Sequence, residues 1–131
     1  IRHIANLMLG IAGRERGLEN ARKTAAFLNE TKPSAIWIGT LAVFEGTTIA
    51  RAIGEGRFHE ATEREKKQEE RLLLESLDLP QVRLYGTHPT NTVSLVGVLP
   101  DDLGHMLEAI DEELSSRSPR FLESVAPRFS L

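Results

Sequence analysis

The segment Thr87-His88-Pro89-Thr90-Asn91 brings together the side chains of this chain best suited to chemistry. An imidazole can carry a proton near neutral pH, and a carboxamide donates and accepts hydrogen bonds at once. The pair directly follows a predicted strand, Gln81–Gly86. In α/β folds, ligand sites gather at the C-terminal ends of strands. His88 and Asn91 are therefore the candidates to bind substrate or move a proton. The competing and commoner reading of such a loop has Asn91 closing an Asx-turn while His88 caps a carbonyl.

A second feature is Gly10, Gly13 and Gly17, between an apolar run and a helical pattern. Glycines after a strand let backbone N–H groups approach a ligand, and a helix start favours anions. The spacing matches neither the dinucleotide fingerprint nor the phosphate loop with its Lys and Ser/Thr, so a plain tight turn is the expectation.

Other chemistries are ruled out by what the chain lacks. It has no cysteine, which removes disulfides, thiol nucleophiles and thiolate-held zinc or iron–sulfur centres from this chain. Its 4 histidines, His3, His59, His88 and His105, include no i, i+4 pair, so no metal ligand is assigned. The carboxylates crowd into Glu63–Glu70, where a solvated helix with pairs such as Glu63–Lys67 is expected. The C-terminal serines have no nucleophile elbow around them, and no catalytic residue is assigned. Trp37 and Phe44 are expected in the core.

Elements must position these groups. Ile4–Ile11 is an apolar run expected as a strand buried on both faces. Leu18, Ala21, Ala25 and Leu28 repeat at helical spacing, and Ser34–Phe44 supplies a second buried strand. Strand, helix and strand in that order predict a right-handed parallel crossover. A short helix is expected near Thr48–Glu55. A longer one starts at Thr62, where Thr62 and Glu65 form a capping box, and runs to Leu77. Gln81–Gly86 is expected at a sheet edge, Thr87–Pro100 as a long loop, and Leu103–Leu114 as a helix with one core stripe. Residues 115–131 are expected as linker and tail, with Phe121, Leu122, Val125 and Phe129 too sparse to place.

The 131 residues suit one domain, and 40% hydrophobic with 27% charged residues is ordinary globular usage. A net charge of −3 argues against a nucleic-acid face. The apolar runs fall far short of the ~20 residues that span a bilayer, and no signal peptide opens the chain. A cytoplasmic protein with neither nucleic-acid nor membrane partner is expected.

Met8-Leu-Gly-Ile-Ala-Gly13, Ala25-Ala-Phe-Leu-Asn29, Pro33, Thr40-Leu41 and Gly46-Thr47 form an ordered string. It continues through Gly56-Arg-Phe58, Leu72-Leu73, His88-x-x-Asn91 and Gly97-x-Leu-Pro100 to a helix ending at Leu114. In this order and spacing, Leu7 to Leu114 resembles the C-terminal half of radical S-adenosylmethionine proteins of the Fe–S oxidoreductase group. The resemblance implies an α/β fold, the C-terminal portion of a partial (β/α) barrel with parallel strands and crossover helices. It implies S-adenosylmethionine and a [4Fe–4S] cluster in the complete parent, with the cluster held by a three-cysteine motif in the N-terminal half. By position, Leu9, Gly10, Leu41 and Ala42 would lie nearest the adenine of that cofactor. The family often has Gly where Ala12 stands, and Pro-Gly-Thr-Pro where this chain has Glu45-Gly-Thr-Thr48.

An apolar strand at residue 4 agrees with the expectation that an N-terminal half precedes it, and that this chain alone is inactive. That half is the expected partner. Homodimer formation through the exposed sheet edge, or partial order, is expected of the isolated chain. A self-standing α/β domain that binds a small ligand or regulates is the alternative.

Overall fold

In a computed structural model that describes residues 2–128, the chain forms an open α/β sheet with its core-forming helices on one face. The strands are β1 (Ile4–Leu9), β2 (Ala35–Thr40), β3 (Val82–Gly86) and β4 (Leu95–Leu99), in the spatial order β1-β2-β3-β4. β1, β2 and β3 are parallel, and β4 runs antiparallel beside β3. Helix α1 (Gly17–Thr31) connects β1 to β2; α2 (Thr48–Gly54) and α3 (Glu63–Ser76) connect β2 to β3. After β4 come α4 (Leu103–Ser116) and the short α5 (Pro119–Leu122).

Both parallel connections step the same way across the sheet. Right-handed crossovers that do so put their helices on the same face. Ala21, Ala25 and Leu28 of α1, Leu73 and Leu74 of α3, and Met106 and Ile110 of α4 accordingly share one core with Leu9, Ile36, Ile38, Leu84 and Leu99. The opposite face carries Ile4, Met8, Trp37 and Val96, all exposed. β1 is thus not buried on both faces: its side chains alternate, and only Leu9 is buried. The reason is topological, because an edge strand in a sheet covered on one side has no second layer to enter.

Two further expectations are corrected nearby. β3 is an interior strand, not an edge, because residues 95–99 of the expected loop pair with it as β4. Leu95 and Leu99 alternate into the core, and that burial outweighs the polar start of the segment.

The charged half of α3 is likewise not a solvated face. Glu63, Lys66, Lys67, Glu69 and Glu70 are all buried. The capping box at Thr62 and Glu65 forms as expected. Glu63, however, pairs with Lys66 at 3.3 Å and with Arg128 at 2.5 Å rather than with Lys67. Burial pushes the Glu63 carboxyl up, but Arg128 hydrogen bonds and the Lys66 charge outweigh it and hold the group below the usual range. The tail supplies the cover. Leu122 is buried, the Glu63 N–H donates to the Ser124 carbonyl at 2.9 Å, and Phe121 lies under Lys67 and Arg117. Residues 118–128 are therefore a strap across α3, not a free linker; Phe129 lies outside the described residues.

Glu70 is the exception in this cluster, since its Oε1 has no hydrogen-bond partner and the residue is 3% exposed. Burial pushes its carboxyl up to about 7, against the Lys67 charge. An acid whose folded pKa exceeds its unfolded value stabilises the fold at low pH and loses that contribution as pH rises through the folded value. The ordinary value is 4.5, so the loss falls between pH 4.5 and about 7 and amounts to about 3 kcal/mol. Glu70→Gln is expected to remove most of that decline. Urea denaturation of both proteins at pH 4.5 and pH 8 measures it, and parallel stability curves would exclude a buried, proton-holding Glu70.

Candidate functional site

Pairing between β2 and β3 stops at Trp37 and Tyr85, and beyond that point the strand ends separate. Asn91 fills the gap. Its Nδ2 donates to the Ile38 carbonyl of β2 at 2.8 Å and to the Gly86 carbonyl of β3 at 3.0 Å. Its Oδ1 accepts from the Thr40 hydroxyl at 2.7 Å. Both amide protons are spent on backbone that no strand satisfies, so Asn91 serves as a bracket between strands. These bonds replace the Asx-turn that is the commoner reading of such a loop.

Thr90 is buried beside it, and its hydroxyl accepts from the Thr40 N–H at 3.0 Å. The same oxygen lies 2.8 Å from His88 Nδ1, which also accepts the Thr90 N–H at 3.2 Å. An Nδ1 that accepts from a backbone N–H is unprotonated, so this network assigns the proton of the neutral ring to Nε2. Nε2–H is the donor left for a ligand. The loop is also held from behind: Arg128 Nε donates to the Thr90 carbonyl at 2.7 Å, and Lys67 Nζ donates to the Thr92 hydroxyl.

In front of this loop, on the open face, lies a cavity of about 490 Å³. Asn6 and Met8 of β1, Trp37 and Gly39 of β2, Tyr85 of β3, and His88 line it. Its size falls within the range of small-molecule sites. His88 is thus part of it, as a strand-end residue should be. Trp37, expected in the core, instead stands half in solvent against Tyr85, with ring centroids 5.0 Å apart. The signal for this was present in the parity of the strand: Ile36 and Ile38 face the helices, so Trp37 must face away. The same parity puts Asn6 and Met8 of β1 and Tyr85 of β3 on the open face.

Of the residues placed nearest a cofactor, only Ala42 lines the cavity. Leu9 and Leu41 are buried, and the Leu41 N–H donates to the Leu9 carbonyl at 2.9 Å. The Gly10 carbonyl accepts from the Gly13 N–H at 3.1 Å. Its own N–H donates to Glu69 Oε2 at 2.9 Å. Burial pushes the Glu69 carboxyl up, against the hydrogen bonds from Gly10 and Asn20. Leu9, Gly10 and Leu41 are thus buried with these backbone groups engaged, and Ala42 alone of the four reaches the cavity.

The glycine loop has the same character. Gly10 and Gly13 take positive φ of 83° and 87°. A Cβ on Gly10 would come within 3.0 Å of Lys66 Cε. Arg14 N–H donates to the His59 carbonyl at 2.8 Å, and Glu15 N–H donates to Glu65 Oε1 at 2.6 Å. This turn binds carboxylates of its own chain, in place of a phosphate.

Among the described residues, no group of three His, Asp or Glu is arranged to hold a metal ion, and no helix is long and apolar enough to cross a membrane. Comparisons with protein-family models, curated proteins and solved structures return no match for this chain.

Asn91→Ala would strand the Ile38 and Gly86 carbonyls at a part-buried strand split. A loss of about 2–4 kcal/mol in chemical denaturation is expected. A change within about 0.5 kcal/mol, typical of a solvent-facing ligand contact, would refute the bracket.

Proposed function

We propose that this chain is the C-terminal part of a radical S-adenosylmethionine protein of the Fe–S oxidoreductase type. Its open face would be part of the inner wall of a partial (β/α) barrel. The observation that carries the reading is the one-sided sheet. Three sequential parallel strands, here followed by one antiparallel strand, with every core-forming helix on one face are in keeping with a barrel wall, whereas doubly wound sheets cover both faces. The cavity also sits at the C-terminal strand ends, where barrel enzymes gather their sites.

The ordered motif string adds support, because its members do structural work at those ends. Gly10 makes the turn over Lys66, the Thr40 N–H donates to the Thr90 hydroxyl, and Asn91 locks the split between β2 and β3. On this reading, β1 pairs along its free edge with strands of an N-terminal half, and the protein is cytoplasmic. The [4Fe–4S] cluster needs thiolates, which that half would supply, since this chain has no cysteine. The bound cluster and cofactor would supply radical chemistry. This chain's residues would form the wall, keep water from it, and present His88 Nε2–H.

A second reading, a self-standing ligand-binding or regulatory domain, is favoured by the finished helix-side core, where Ile36, Leu84 and Ile110 are 0% exposed. One experiment separates the two. The complete gene product, including the region before Ile1, is sequenced, reconstituted anaerobically with iron and sulfide, and assayed for 5′-deoxyadenosine. The first reading expects a Cys-x3-Cys-x2-Cys motif and product. A gene without the motif, encoding a chain that melts cooperatively alone, would leave the second.

A further inference from the structure

Below the rim, the open face carries an aromatic floor that the loop chemistry does not explain. Trp37 of β2 and Tyr85 of β3 are direct cross-strand partners, tilted by 35° with centroids 5.0 Å apart. On β1, Asn6 stands opposite Trp37, and Met8 stands opposite Gly39. Trp37 is 49% exposed and Met8 47%. Gly39 leaves the space beside the indole open, and a Cβ there would lie 3.8 Å from His88 Cγ. Indole, phenol, thioether and imidazole thus surround one slot.

The polarity of the lining narrows what the slot accepts. No carboxylate, ammonium or guanidinium lines the cavity. A charge brought there would lose hydration without gaining a counter-charge, which is costly. The Thr40 hydroxyl is spent on Asn91 and the Thr90 hydroxyl on His88 and Thr40. Asn6, the Tyr85 and Thr87 hydroxyls, the Trp37 indole N–H and His88 Nε2–H remain for directional contacts. Flat rings stack on an aromatic pair with a preference that puckered rings of equal size do not share.

We infer that the cavity takes a planar, uncharged ring system as the protein's substrate, stacked on Trp37 and Tyr85 with an acceptor atom meeting His88 Nε2–H. This rests on reading the open face as the inner wall of a ligand site. It concerns a position deeper than Leu9, Gly10, Leu41 and Ala42, which lie at the strand ends.

Three probes test it on the 131-residue chain. They are 2-naphthamide, its fully saturated decahydro counterpart, and 2-naphthoate. Each is titrated calorimetrically and mapped by amide and indole N–H shifts. 2-Naphthamide is expected to bind about fivefold or more tightly than either of the others. It should shift the Trp37 indole, Gly39 and Thr90. His88→Ala should weaken it about threefold or more. Trp37→Leu should abolish the preference for the flat amide, and Trp37→Phe should retain it. Equal binding of flat and saturated amides, absence of binding, shifts remote from Trp37, or a preference that survives Trp37→Leu would each overturn the inference. None of these readouts involves residues before Ile1, so the result stands apart from the test of the parent enzyme.

Discussion

Two parallel crossovers that step in the same direction cover one face of a sheet and leave the other bare, and everything else in this protein follows from that constraint. The covered face holds the core. The bare face holds Met8, Trp37 and Tyr85, and it receives the loop that carries His88. Where β2 and β3 part, unpaired carbonyls would face each other, and Asn91 supplies both missing donors. The site is therefore a product of the strand split: the split needs a bracket, the bracket fixes Thr90, and Thr90 fixes the imidazole.

Behind the split, α3 meets the sheet with charged side chains, an arrangement that has to be compensated throughout. Arg128 and Lys66 neutralise Glu63, the turn at Gly10 and Asn20 satisfy Glu69, and Thr92 receives Lys67. Burial lowers the Lys66 and Lys67 ammonium groups from their ordinary range, with Glu63 opposing the shift in both. Among the described residues, the Glu70 carboxyl is the one left short of a partner. The strap at 118–128 belongs to the same network, because Arg128 joins Glu63 to the Thr90 carbonyl. Helix, strap and site loop are thus mechanically one unit.

Much of the frame was legible in the residues. The helical repeat of Ala21, Ala25 and Leu28 (Leu18, in the same helix, is exposed), the Thr62–Glu65 box and the strand at 82–86 rest on local patterns, and local patterns survive folding. The burial of Glu63 to Glu70 was not legible, because nothing local distinguishes a solvated charged helix from one covered by a distant tail. The partners of Glu63 and Glu69 lie far away in sequence, at Arg128, Gly10 and Asn20. β4 was missed because Gly97 and the polar segment before Leu95 mask a short alternating run. In the site, His88 was visible from its place after a strand. Asn91 was visible as a residue but not in its role, which depends on a divergence of strands that only pairing registers reveal. Trp37 was assigned to the core on residue type, although alternation with Ile36 and Ile38 opposed it.

The chain has a single tryptophan, and it lies on the bare face. Acrylamide quenching of its fluorescence in the 131-residue protein therefore tests the central claim most directly. An open wall predicts solvent-exposed emission quenched with a constant of the same order as a free indole. Blue-shifted emission that acrylamide barely reaches would mean that the face is covered and that the sheet presents no cavity wall.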